Sequence, residues 1–193
     1  SMMAGGDVHN RTPSPRLPLP PFLQDVNLLS LDLSLTGPAA VRRGKQMGAR
    51  CVKLEPPGGD PMKHYSPPAH AQLHSGIKVV RVDLKTAAGQ KTLHRELAKT
   101  DVLITSFRPS AIEKLGLGWK SLRRLYPALS HVAIVGSPGV RAEAPGHDLT
   151  YLADNGLVTG LELPATLYAD MGGSLAASEA VVQAVLAQRN RDG

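Results

Sequence analysis

The sequence predicts an α/β protein, a Rossmann-like parallel sheet flanked by helices. Three observations predict it. Short apolar runs of strand length alternate with helical segments from residue 28 to residue 135. The stretch 28–54 reads as a complete β-α-β unit, which calls for a parallel pair and a right-handed crossover. Aromatic residues are only 4% of the 193 while apolar residues are 42%. The core must then rest on Leu, Val, Ala and Ile, a composition suited to α/β layers.

Residues 1–25 are expected to be a flexible leader, because Pro13, Pro15, Pro18, Pro20 and Pro21 forbid regular helix. Residues 26–193 are expected to form one Rossmann-like domain. Its first strand is Leu28 to Leu33, followed by Gly37-Pro38 and a helix over 39–48 that starts just after a proline. Cys51 to Leu54 is the second strand, closed by Pro56-Pro57-Gly58-Gly59. Residues 60–76, with three prolines and three histidines, read as an irregular loop. Val79 to Leu84 alternates as a strand, and Thr86 is placed to cap a helix over 87–99. A strand over 101–105, helical pieces over 109–115 and 119–126, and a buried strand over 131–135 follow. The pattern then changes to helices over 148–158 and 172–188, joined by a loop containing Pro164.

Charge and cysteine content narrow the function classes. Twenty-two Lys and Arg against 16 Asp and Glu give a net +6, which favours an anionic partner. The basic residues form no stripe and have no interleaved aromatics, so a phosphorylated small molecule is preferred to nucleic acid. The single cysteine, Cys51, lies in an apolar run and reads as a buried small hydrophobe in a reducing compartment. No stretch has the length of a membrane span and no apolar signal region opens the chain, so a cytoplasmic protein with no membrane partner is expected.

In such sheets ligands bind beyond the carboxyl ends of the strands. The loops at 34–38, 55–60, 105–109 and 135–147 fall at that edge. Gly37-Pro38 lacks the glycines of a dinucleotide fingerprint, and no Walker lysine motif is present. The loop Glu55 to Asp60 alone reads as a rigid turn, and Arg108 reads either as a phosphate grip or as a solvent-facing side chain. His64, His70 and His74 match no metal-ligand spacing and are assigned to the surface, so no metal is expected. His147, after Gly146, opens a helix. There the dipole favours a neutral imidazole able to act as a base, and the alternative is a capping or surface histidine. Asp170, before Gly172-Gly173, reads equally as a helix cap or as a carboxylate acting as nucleophile or acid/base.

Taken together these segments resemble the family III CoA-transferases, which include formyl-CoA transferase, carnitine CoA-transferase and α-methylacyl-CoA racemase. The resemblance runs through Leu31-Asp32-Leu33-Ser34, Gly37-Pro38 and Gly48 to Asp60, then Lys78, Val82 to Lys85, and Ala98 to Leu103. It continues through Phe107-Arg108-Pro109, Leu115-Gly116-Leu117, Gly146-His147-Asp148 and Asp170 with Gly172-Gly173, covering about 27–193. It implies acyl-CoA metabolism with coenzyme A as substrate. In the transferases the aspartate matching Asp170 forms acyl-anhydride and CoA-thioester intermediates with an acyl-CoA and a carboxylic acid. In the racemases that aspartate and the histidine matching His147 exchange the proton α to the thioester. The resemblance places CoA against Leu35, Thr36, Pro56, Lys78, Ser106, Phe107, Arg108 and Lys114.

The departures from the family pattern carry expectations of their own. Family members are longer, add a smaller domain and close an interlocked dimer. The fold is therefore expected to be incomplete relative to theirs, a fragment or one completed by a homo-oligomer or partner chain. Leu35-Thr36 stands where transferases often carry Gln-Ala. Arg42, Arg43 and Lys45 sit on a helix that is usually apolar, and Ser137-Pro138-Gly139 replaces a glycine-rich segment. These changes keep open a second reading, a catalytically impaired or partner-dependent subunit.

Overall fold

The computed structural model describes residues 20–191, so most of the expected leader lies outside the described residues. Five strands form one parallel sheet: β1 (Asn27–Ser30), β2 (Arg50–Glu55), β3 (Lys78–Arg81), β4 (Val102–Thr105) and β5 (Ser130–Ala133). Their order is β3-β2-β1-β4-β5. The chain therefore leaves β1 toward β2 and β3, then returns to its other side for β4 and β5. The carboxyl ends of β1 and β4 meet where that direction reverses, and an open α/β sheet offers its binding crevice at such a point.

The central strands are buried on both faces, as parallel strands under helices must be. Alternate residues of β1 serve opposite layers. Leu28 packs with Cys51, Val102 and Ile104 against Val41 of α1 (Thr36–Gln46) and Val181 and Val185 of α8 (Tyr168–Arg191). Leu29 packs with Leu54 and Leu103 against Leu93 and Leu97 of α4 (Ala87–Leu97) and Ile112 and Leu122 beyond. Cys51 is buried, as its apolar run predicts. No helix among the described residues is long and apolar enough to cross a membrane.

Thr86 caps α4 as expected, its hydroxyl accepting the Gly89 N–H at 3.0 Å. Gly89 lies so close to Asp83 that an added Cβ would overlap that residue's backbone carbonyl. Gly89→Ala is therefore expected to lower stability by about 1–3 kcal/mol despite alanine's better helix propensity. Chemical denaturation measures the balance.

Three expectations are corrected. Residues 60–76 are not an irregular loop but carry α2 (Met62–Tyr65) and α3 (Pro67–His74). Of the prolines that suggest a loop, Pro61 is the N-cap of α2 and Pro67 and Pro68 open α3, positions where no helical N–H is missed. The expected leader also runs too far. Residues 22–25 form a turn in which Leu23 is buried in the core, and Arg189 donates to Phe22 O and Asp25 Oδ1. Finally, the last helix begins at Tyr168 and takes Gly172-Gly173 inside itself, running 24 residues. Gly173 permits this close packing, because a Cβ there would meet Thr36 of α1.

α5 (Pro109–Lys114), α6 (Trp119–Leu125) and α7 (Asp148–Asp154) complete the fold. A 3-10 turn, Gly139–Glu143, is tied to α5, where Glu143 accepts the Ser110 N–H and hydroxyl. The far end of α8 is fastened too. Gln188 donates to Asp101 O and Ser130 Oγ, both at 3.0 Å, at the amino edge of β4 and β5.

Candidate active site

At the point where the sheet reverses direction, a cleft of about 600 Å3 opens between the ends of α1, α7 and α8. It brings together seven residues singled out in the sequence: Leu35, Thr36, Ser106, Phe107, Arg108, His147 and Asp170. A second, largely apolar cavity of about 400 Å3 adjoins it. Phe107 and Leu33 line both, and the second takes in Pro56 and Lys114. Lys78 joins neither. It opens β3, opposite Val52, and is exposed near the amino edge of the sheet. Three residues of extended chain, roughly 10 Å, separate it from the strand's carboxyl end. The cation that lines the second cavity on that side is Lys85.

Asp170 is half-buried in the first turn of α8. It does not cap that helix. Its own N–H donates at 2.9 Å to Asp148 Oδ1, so Asp148 supplies the cap. Burial raises the Asp170 carboxyl above the ordinary aspartate value, and the neighbouring Asp148 charge adds to this. A hydrogen bond from the Thr36 hydroxyl and the proximity of His147 act the other way. The result is a carboxyl, beside a histidine, that holds its proton more readily than a surface aspartate. His147 immediately precedes α7, and its N–H donates to the Thr150 hydroxyl at 3.4 Å.

The sequence reading missed three residues here. Asp148 was legible only as the neighbour of His147, yet it is buried and orients Asp170. The Tyr151 ring lies against Gly136 and Gly146, and a Cβ on either glycine would overlap it. Those two glycines are what let an aromatic side chain form the cleft wall. Asp32, just beyond β1, is fully buried, with Oδ1 lacking a hydrogen-bond partner and Gly37 pressed against its side chain.

Burial pushes the Asp32 carboxyl up from 3.8 to about 6, against hydrogen bonds from Ser106 and Ser30 and the Lys53 charge. Between those values the native protein holds a proton that the unfolded chain has released. The Asp32 contribution is therefore whole below pH 3.8 and is lost as pH rises to about 6. Asp32→Asn, uncharged throughout, should escape that loss. The wild type is expected to lose on the order of 3 kcal/mol more than the variant between about pH 4 and about pH 6.5. Urea midpoints across that range test it.

Beside the cleft lies a buried charged cluster. Glu55, Asp60, His70 and His74 each place a ligand-type atom within 4.8 Å of the others, a set that resembles a metal site in composition. Its centre holds the Lys53 ammonium, 2.6 Å from Asp60 Oδ2, 2.7 Å from His74 Nε2 and 3.2 Å from Glu55 Oε1. Lys53 is the cation these groups surround. His74 therefore belongs to the interior, against the surface assignment made from its spacing. Burial works to raise the Asp60 carboxyl, but its bonds from Lys53, Met62 and Ser34 prevail and hold it below the ordinary value.

Comparison with known proteins places these features in context. A family model described as CoA-transferase family III matches residues 23–193. The chain is 33% identical over 196 aligned residues to a succinyl-CoA–D-citramalate CoA-transferase of Chloroflexus aurantiacus, covering 93% of this chain and 48% of that protein. It is 30% identical over 181 residues to the human α-methylacyl-CoA racemase, covering 89% of this chain and 45% of the relative. A crystal structure of a CaiB/BaiF family protein from Brucella suis superposes with a TM-score of 0.80 at 25% identity, covering 90% of this chain and 51% of that one. The chain thus spans about half the length of the relatives it matches.

Proposed function

The chain belongs to CoA-transferase family III, and from that premise we propose that it carries the acyl-CoA-binding part of an enzyme whose reacting group is Asp170. The observation that carries this reading is the cleft itself. Asp170, His147 and Arg108 line one cavity at the carboxyl edge of the sheet, and an adjoining apolar cavity is flanked by Lys85 and Lys114. The apolar walls suit the acyl and pantetheine parts of an acyl-CoA, and the cations suit its phosphates.

For CoA transfer, the Asp170 carboxylate attacks the thioester carbonyl and expels the CoA thiolate, forming a mixed anhydride. The thiolate then attacks the aspartyl carbonyl, releasing the acyl group as a free carboxylate and leaving an aspartyl-CoA thioester. An incoming carboxylate attacks that thioester and regenerates an anhydride and the thiolate. Attack of the thiolate on the new acyl carbonyl yields the new acyl-CoA and frees Asp170.

A second reading is proton exchange at the carbon α to the thioester, and His147 beside Asp170 favours it. A carboxyl raised by burial and by Asp148 suits a proton carrier better than a nucleophile. Leu161 and Leu163 stand exposed after α7, which supports further protein, a second copy or a partner chain, covering that side. We propose a cytoplasmic location, which the single cysteine Cys51, free and buried, supports as a thiol suited to a reducing compartment.

The experiment incubates the purified protein with an α-methylacyl-CoA in deuterated water, then treats it with hydroxylamine. Deuterium at the α-carbon selects proton exchange, and a modified Asp170 in the peptide map selects transfer. Calorimetry with CoA precedes both, because failure to bind CoA would overturn either reading for this chain and leave the impaired-subunit alternative.

A further inference from the structure

Among the described residues, Ser34 is the one non-glycine residue with a left-handed backbone, at φ 66°. For an L-residue that conformation costs about 1–2 kcal/mol and persists only where the surroundings impose it. Asp60 imposes it, since the Ser34 N–H donates to Oδ1 at 3.0 Å and to Oδ2 at 3.1 Å. The Met62 N–H, at 2.9 Å, and the Lys53 ammonium, at 2.6 Å, hold the Asp60 carboxylate in turn.

The other side of that ammonium is held by His74. An ammonium has only donors, so His74 Nε2 must accept at 2.7 Å. The ring proton therefore sits on Nδ1 and donates to His70 O, also 2.7 Å away. Contacts at both nitrogens thus select one neutral tautomer. Burial and the adjacent Lys53 charge also keep the imidazole below its ordinary value, although its bond to His70 and the Asp60 charge oppose this. Two residues past Ser34 the chain reaches Thr36, which lines the cleft with Asp170, packs against Gly173 one helical turn further along α8, and acts to lower the Asp170 carboxyl.

We propose that His74 is a positioning residue which, through Lys53 and Asp60, fixes the Ser34 turn and so sets the position of Thr36 in the cleft it shares with Asp170. The placement stands on the distances above. Its consequence for catalysis rests on the reading of Asp170 as the reacting carboxylate. Neither His74 nor Lys53 lines the cleft, so their influence runs through the backbone of residues 34–36.

The test needs no substrate, so a failure of the enzymatic reading and a failure of this one are distinct. In the wild-type chain, nitrogen NMR of the His74 ring should show the Nδ1–H tautomer, and an Nε2–H ring would overturn the proposal. In His74→Ala, exchange of the Ser34 amide should quicken about tenfold relative to the amides of β4. The Asp170 carboxyl should titrate higher, because Thr36, which acts to lower it, is no longer held in position. His74→Gln, whose amide can face Lys53 from the same position, should restore both. Uniformly faster exchange at Ser34 and β4 together would mean general destabilisation and would overturn the proposal. So would an unmoved Asp170 titration.

Discussion

Lys53→Met is expected to cost the domain about 3–5 kcal/mol, because it leaves the Glu55 and Asp60 carboxylates buried side by side without their cation. Lys53 is only 2% exposed and Asp60 1%, so water does not reach them to compensate. Volume is nearly conserved, which makes charge rather than packing the dominant loss. The pH dependence identifies the cause. Asp60 is held below its ordinary value in the folded protein. Its contribution is therefore present above the unfolded pKa and fades as pH falls through the folded one. Wild type and variant should converge in stability as the medium becomes acidic enough to protonate the carboxylates. A variant that stays equally destabilised at low pH would point to packing instead. Urea unfolding at several pH values provides the measurement.

Asp170→Ala carries the largest expected effect on function. If Asp170 is the reacting carboxylate, turnover of acyl-CoA should fall by about 10²–10⁴-fold, with substrate affinity changing far less. That split follows from position. Asp170 occupies one end of the cleft, while the apolar walls and the cations Arg108, Lys85 and Lys114 are contributed by other elements. Asp170→Asn is the sharper control, since it keeps the shape of the side chain while the charge and the titrating proton are gone. Retention of more than a tenth of wild-type turnover in either variant would remove Asp170 from the chemistry.

The fold was largely legible because its strands are short apolar runs and its crossovers are single helices. β4, Val-Leu-Ile-Thr, is buried at every position, and the sequence marks it by its uninterrupted apolar character. The misreadings share one physical origin. Proline at the starts of α2 and α3 has the look of a loop signal, and the glycine pair of α8 that of a helix boundary, although tertiary packing tolerates both. The site divides in the same way. Seven residues assigned through motifs do converge on the cleft, but Lys78 does not, since a motif position carries no information on which end of a strand it occupies. His74 stayed hidden because its partner Lys53 lies 21 residues away on another element. Asp32 is legible only as part of the Leu31-Asp32-Leu33-Ser34 motif, because nothing local marks a carboxyl for burial.

The fastening of Gln188 has a consequence for what sequence change the family's scaffold can absorb. Gln188 grips the amino edge of the sheet, while Asp170 sits on the same rigid helix 18 positions, or about 27 Å, nearer its start. The helix acts as a ruler with its zero mark at one side of the sheet and its reading at the other. Substitutions along its solvent face leave that ruler intact. A single-residue insertion or deletion between the two would turn the carboxylate by about 100° about the helix axis relative to the clamp. Length in this segment should therefore be held far more tightly than composition.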